Sequence, residues 1–202
     1  MAMKHIGFVT CSQYPHLTDS DSLVIKPLSK RGISVEPVIW SSPPPTLTQF
    51  DAIIMRSAWD YHTNIEKFHS FLHLIKQSNI PIYNPLDILL WNSKKSYLLD
   101  LSKRGVSIVP TIIITSYDDA IFSRIKQWKE IVVKPAIGAS AFGIHKLNTS
   151  NEHAIKHAID KIVKTRDVLI QPFMKQIHEG EISFIFFNKT FSHAMLKQPS
   201  VN

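Results

Sequence analysis

The chain has 202 residues, of which 44% are hydrophobic and 19% charged, with one cysteine and a formal net charge of +7. That is enough to bury a sizeable core as one large domain or two small ones, with the composition of a soluble globular protein. It excludes an internal disulfide and a membrane span, because no run approaches about 18 apolar residues.

The positive balance admits nucleic acid, an anionic membrane or a phosphorylated small molecule as partner. There is no arginine-rich block and no zinc-finger or RNP-like signature, which argues against nucleic acid. The plain alternative is charge scattered over helix faces. The opening "MAMKHIGFVT" enters a strand pattern without the layout of a signal peptide, so a cytoplasmic setting is expected.

"IGFVT" (6–10) reads as a buried strand. A helix through "SLVIKPLSKRG" follows, closed by Gly32, with Pro27 kinking it or marking a late start. "ISVEPVIW" is a second strand, weakened at Pro37, and "SSPPPTLTQF" a loop. "DAIIMR" (51–56) is a third strand, with "SAWDYHT" a loop beyond its carboxyl end. Thr63 and Glu66 fit a capping box for a helix whose apolar stripe is Ile65, Phe68, Phe71, Leu72 and Ile75. "IPIYNP" is a short strand. This alternation implies a parallel sheet covered by helices over residues 1–85, an α/β unit. Ligands on such sheets sit beyond the carboxyl ends of strands, here near residues 11–16 and 57–60.

From about residue 90 the pattern becomes mixed α+β. A helix "SKKSYLLDLSKRG" carries Lys95, and a strand "VSIVPTIII" carries Pro110 and Thr111. "TSYDDAIFSRIKQW" is helical. Thr149 and Glu152 fit a second capping box before a helix over "TSNEHAIKHAIDKIVKT". "DVLIQPF" is a strand, and "EISFIFFNKTFSHAML" two antiparallel strands around a turn at Asn188 and Lys189.

The stretch with most chemistry is "VVKPAIGASAFGIHKL" (132–147), where a strand reaches Lys134 and opens into a small-residue loop. Only six glycines occur in the chain, and two of them, Gly138 and Gly143, bracket this loop. Glycine lets a backbone turn and approach a ligand, while Ala139, Ser140 and Ala141 leave N–H groups accessible to an anion. Ile144 and His145 stand where a P-loop needs Lys and Ser or Thr, and the three-glycine dinucleotide fingerprint is absent. The alternative is an ordinary hairpin turn with a surface lysine.

Downstream, "VLIQPFMKQIHEGEISFIFF" runs through Gln171, Pro172 and Phe173 to Gly180 and Glu181; upstream lies "WNSKKSYLLDLSKRGVSIVPT". This ordered set resembles the ATP-grasp superfamily from about residue 90 onward. "RSAWDY" ahead of "WNSKKSYL" is similar to members related to glutathione synthetase and the cycloserine-forming ligase. The resemblance implies an N-terminal Rossmann-like domain (1–90) and an ATP-grasp region (91–202). The latter divides into a lid-bearing subdomain (91–170) and the start of a second (171–202).

By the same resemblance, ATP is the expected ligand. Lys95 and Lys134 would lie along the triphosphate, lysine being a compact point charge. The 138–143 loop, with Gly138, Ala139, Ser140 and Gly143, would close over the β- and γ-phosphates. Backbone groups of Gln171, Pro172 and Phe173 would read the adenine edge. Glu181 would accept from the ribose hydroxyls. Lys197 would be a third cation, or else a solvated strand-end lysine. Arg56 would clamp a substrate carboxylate, or else pair with Asp60 or a helix end. Trp59 and Tyr61 beside it would line the pocket for that substrate or pack between the domains, with packing the favoured reading.

Magnesium is expected of an intact family member, yet no Asp or Glu occurs in the 21 residues after Glu181, so its ligands are not in this chain. The expectation is therefore an ATP-grasp protein incomplete at its C-terminal end, either a fragment of a longer protein or a shortened product. It is either a carboxylate–amine ligase acting through an acylphosphate or a non-catalytic nucleotide-binding remnant. The partners are ATP and a small carboxylate, and a homodimer would cover the open edge after residues 190–196. A third reading is a basic nucleic-acid-binding or scaffold protein. The pairs His69/His73 and His153/His157 have helical metal spacing but lack the glutamate of His-Glu-x-x-His. His69 and His73 are expected to be exposed, and Cys11 is read as a small strand-end residue.

Overall fold

A computed structural model describes residues 3–42, 46–139 and 141–198; Ser140 and the proline run at 43–45 lie outside these. The first half contains β1 (Lys4–Thr10), α1 (Asp19–Ser29), β2 (Ile33–Ile39), β3 (Ala52–Ser57), α2 (Ile65–Gln77) and β4 (Ile82–Tyr83). The four strands are all parallel, in the order β2-β1-β3-β4. α2 lays the expected stripe of Phe68, Phe71, Leu72 and Ile75 onto a core with Val9, Val38, Trp40 and Ile53. Leu72 and Ile75 are fully buried, each contributing about 2 kcal/mol of transfer free energy.

Some local expectations shift. α1 starts three residues earlier than read, because Thr18 and Asp21 cap it reciprocally. Pro27 stays inside α1 near its C-terminal end, where few hydrogen bonds remain to lose. Pro37 is accommodated because β2 is an edge strand. α2 is capped by Asn64, not Thr63, whose hydroxyl donates to the Asp60 carbonyl instead.

The second half contains α3 (Leu86–Asn92), α4 (Tyr97–Lys103), β5 (Ile112–Ile114), α5 (Asp119–Ile125), β6 (Glu130–Pro135), β7 (His145–Asn148), α6 (Glu152–Val163), β8 (Val168–Pro172), β9 (Glu181–Phe187) and β10 (Thr190–Lys197). Strands β5-β8-β6-β7 form an antiparallel sheet. α6 buries Ile155, Ala158, Ile159 and Ile162 against Ile131, Val133, Val168 and Ile170.

Here the helix read over 93–105 is only α4, α3 precedes it, and Lys95 lies in the turn between them rather than on a helix. Pro110 and Thr111 precede β5 instead of closing a strand, since proline supplies no ladder donor and holds the residue before it extended. Asn151, not Thr149, caps α6; the buried Thr149 hydroxyl is drawn to the carbonyls of Lys126 and Lys129.

β9 and β10 pair around Asn188 (φ 48) and Lys189 (φ 66), two successive left-handed residues as a tight primed turn requires. The register sets Ile182 opposite Leu196, Phe184 opposite Ala194 and Phe186 opposite Phe191. Alternation along β9, with the register shift between Phe191 and His193 in β10, gathers these six apolar side chains on one face. Phe184 remains 63% exposed, and no described element covers this face. Phe184→Ser should lower the fluorescence of a bound hydrophobic dye while changing unfolding free energy by no more than about 0.5 kcal/mol. Unchanged dye binding, or a large loss of stability in urea, would mean that the face is covered in solution.

Candidate functional site

The period of two along β6 buries Ile131, Val133 and Pro135 against α6 and turns Lys134 to the opposite face. Lys95 arrives from the α3–α4 turn. Its backbone N–H donates to the Ala136 carbonyl at 2.8 Å, and its Nζ donates to the Gly138 carbonyl at 2.5 Å. Lys95 and Lys134 line a cavity of about 190 Å³ together with Gly138, Ala139, Ala141 and Phe142.

Among the described residues the Lys134 Nζ has no hydrogen-bond or ion-pair partner. Burial pushes its pKa below the ordinary lysine value, the Lys95 charge pushes it further down, and Glu181 pulls it up. Burial also lowers Lys95. Two half-buried ammonium groups thus repel each other in a site with little compensating negative charge, a standing preference for an anion.

Glu181 opens β9 and pairs across the hairpin with Lys197 at 3.8 Å, both side chains being well exposed. Lys95 and Lys134 share the cavity; Glu181 reaches Lys134 only as a charge at a distance, and neither Glu181 nor Lys197 lines the cavity.

The loop needs glycine at one position more than the other. Gly143 has φ +66, and a Cβ there would come within 3.1 Å of the Pro135 ring. At Gly138 the nearest atom to an added Cβ is 3.7 Å away, ordinary contact. Ala141 is also left-handed, with φ 59.

Of the residues read as an adenine hinge, the Phe173 N–H donates to the Glu130 carbonyl at 2.9 Å and so cannot read a base edge. The Gln171 side chain is committed to the Thr111 hydroxyl at 2.9 Å. The Phe173 ring lies under the Lys146 ammonium, 3.8 Å from its centroid, where Lys146 also pairs with Glu130.

Arg56 stands at the carboxyl end of β3, but its partner is Asp21 on α1 rather than Asp60. Nε and Nη2 both reach the buried Asp21 Oδ1 at 2.7 Å, and Ser57 donates to Oδ2 at 2.5 Å. Asp60 accepts from the Trp40 indole at 2.6 Å. Arg56 nevertheless lines a second cavity of about 170 Å³ with Met55, Trp59, Tyr61 and Ser93, and Ala139 lines both cavities.

Tyr61 is thus partly cavity wall as well as packing, its hydroxyl donating to the Ser93 carbonyl at 3.3 Å, and burial raises its pKa. From residues 11–16, Tyr14 packs edge-on against Trp59 of this wall, and Cys11 is buried in the core that also holds Ala58 and Phe68. Sequence reasoning missed Asp21 and Ser93; only the proximity of Ser93 to Lys95 in "WNSKK" could have suggested the latter.

His69 is not exposed: its Nε2 meets the Ser93 hydroxyl at 2.9 Å, and burial lowers its pKa. No group of three His, Cys, Asp or Glu among the described residues is arranged to hold a metal.

The chain matches two family models: the N-terminal domain of D-cycloserine synthetase DcsG over residues 6–84, and the ATP-grasp domain of prokaryotic glutathione synthetase over residues 97–201. It is 26% identical over 174 residues to the cycloserine biosynthesis protein DcsG of Streptomyces lavendulae, covering 82% of this chain and 58% of that protein. It is 23% identical over 137 residues to the glutathione synthetase of Nitrosomonas europaea, covering 67% of this chain and 41% of that one. The chain therefore spans about half the length of these curated relatives.

Among solved structures, D-cycloserine synthetase DcsG has the same fold at TM-score 0.86 and 21% identity, over 96% of this chain and 68% of that one. D-alanyl-alanine synthetase A of Vibrio cholerae follows at TM-score 0.60 and 18% identity, covering 95% and 65%.

Asp21 gives this site a pH signature. Burial alone would raise its pKa, but hydrogen bonds from Ser57, Thr18 and Arg56 outweigh that and lower it. A carboxylate with a depressed folded pKa stabilises above its unfolded value and loses that contribution as pH falls through the folded one. Urea unfolding of the wild type should therefore weaken below about pH 4. Asp21→Asn should cost about 3 kcal/mol at pH 7 and flatten this acid limb. Superimposable pH profiles for the two proteins would refute the assignment.

Proposed function

The chain belongs to the ATP-grasp family, and from that premise we propose that it binds ATP with its triphosphate between Lys95, Lys134 and the 138–143 loop. The observation that carries this reading is Lys134: a half-buried ammonium without a described partner, beside a second ammonium, on the wall of a loop-bounded cavity. An anion relieves both the desolvation and the like-charge repulsion there. In this reading Glu181 faces the ribose, Gln171 and Pro172 flank the base, and Lys197 closes the far side through Glu181.

The reaction class is ATP-dependent ligation of a small carboxylic acid held in the Arg56 cavity. A carboxylate oxygen attacks the γ-phosphorus and ADP leaves; an amine then adds to the acylphosphate carbonyl and expels phosphate. Charge neutralisation and positioning are the protein's contribution to such a step. Arg56, fixed by Asp21, supplies an oriented guanidinium, and Ala139 stands where the two cavities meet.

Magnesium would require hard oxygen ligands, and among the described residues Glu181 is the carboxylate whose charge reaches Lys134. The described residues do not fit a metal centre. A second copy of the chain pairing along β10 is the protein partner this reading expects. No described helix is long and apolar enough to cross a membrane.

Calorimetric titration with Mg-ATP tests the reading. Lys134→Ala should weaken binding at least fivefold, roughly 1 kcal/mol; equal affinities would remove Lys134 from the site. The pH dependence has a definite sign. Because the Lys134 pKa is depressed, its charge is lost at a lower pH than that of a free lysine. Affinity should fall as pH rises through the range just below the ordinary lysine value, about 10.4. In Lys134→Ala this alkaline limb should diminish. ADP release with a carboxylic acid and an amine present would show ligation, whereas binding without turnover would leave only the nucleotide site.

A further inference from the structure

Arg166, in the turn between α6 and β8, takes no part in the reading above, yet its guanidinium is committed three ways. Nη1 donates to the Ile137 carbonyl at 3.0 Å, Nη2 donates to the His62 carbonyl at 2.5 Å, and its carbon lies 5.5 Å from the centroid of the Phe142 ring. Ile137 immediately precedes the loop, Phe142 belongs to it, and His62 follows β3 in the first half of the chain. One side chain therefore holds the loop at two points and ties it to the other sheet's unit.

His62 completes the contact from the opposite half. Its ring lies 5.1 Å from the Phe142 ring at 36°, it is only 8% exposed, and its Nδ1 has no hydrogen-bond partner. Burial, with Arg166 and Lys95 nearby and only Asp60 opposing, favours the neutral imidazole, which suits apolar packing on Phe142.

The next residue reinforces the arrangement. The Asp167 carbonyl accepts from the Ala136 N–H at 2.8 Å, and its carboxylate pairs with Lys94, the neighbour of Lys95. The loop base, the Lys94–Lys95 turn and the segment carrying His62 thus converge on two consecutive residues.

We propose that Arg166 is the positioning residue of the 137–142 loop, holding it through Phe142 and His62 against the first half of the chain so that it walls the Lys95 and Lys134 cavity. The inference rests on the nucleotide reading only for what the cavity holds; the latch itself exists without ligand. A lysine at this position would keep the charge but lose the planar fork that reaches two carbonyls and an aromatic face together.

Amide hydrogen exchange of the ligand-free protein tests this. Arg166→Ala should raise exchange of residues 137–144 by about tenfold, as losing contacts of this kind does for a local opening, and leave α6 and β8 unchanged. Arg166→Lys should fall between. Phe142→Ala, at a half-exposed position that leaves the cores intact, should give the same localised increase, and combining it with Arg166→Ala should add little. Loop exchange unchanged in Phe142→Ala, or additive effects in the double variant, would overturn the proposal. Failure of the nucleotide reading shows separately, as absence of heat on titration with ATP, and does not alter the exchange comparison.

Discussion

The site depends on two ammonium groups brought into one small cavity. Lys134 gets there by strand parity: with Ile131, Val133 and Pro135 buried, it must face away from α6. Lys95 gets there because the α3–α4 turn hydrogen-bonds to Ala136, just past the end of β6. Among the described residues neither group pairs with a carboxylate. Lys95 has the Gly138 carbonyl dipole, and Lys134 has only the more distant influence of Glu181. The folded chain thus carries two neighbouring ammonium groups with little compensation, and on the proposed reading an anion relieves this beside a loop bent left-handed at Gly143.

That arrangement spans two separate cores. One packs α2 against the parallel sheet and the other packs α6 against the antiparallel sheet. The ties described between them are largely polar and local: Arg166 with His62, and Lys94 and Lys95 of the α3–α4 turn with Asp167 and Ala136. Polar ties of this kind hold an orientation without burying much apolar surface, so the two units can adjust around a ligand more readily than a shared core would permit. The cavity wall inherits this property, because Ala139 and Phe142 lie at the junction.

What was legible from sequence follows the range of the physics. The parallel strands, the α2 stripe and the hairpin at Asn188 rest on periodicity and turn chemistry within a few residues, and all are present. The helix starts at Asn64 and Asn151 were misplaced by one or two residues, because threonine and asparagine are both competent caps and only the tertiary partners of Thr63 and Thr149 decide between them. Lys134 could be picked out from its own loop. The Asp21 partner of Arg56 is 35 residues away, and the His62 carbonyl is 104 residues from Arg166, so neither pairing leaves a local signal. The Phe173 N–H was misjudged for the same reason, since its acceptor, Glu130, belongs to a strand paired only by the fold.

The Asp21–Arg56 pair shows how such long-range contacts shape function without touching ligand. Nε and Nη2 converge on one carboxylate oxygen while Ser57 and Thr18 donate to the other. The carboxylate fixes the direction of Arg56, which also lines the cavity walled by Trp59 and Tyr61. Orientation of this kind lowers the entropy lost when an acid binds. On the proposed reading, an acid held by Arg56 would lie in a cavity that Ala139 also lines, and Ala139 borders the Lys95 and Lys134 cavity as well. On the proposed reading, the smallness of residue 139 is then a requirement of the chemistry: a larger side chain would stand between the carboxylate held by Arg56 and the phosphate held by Lys134.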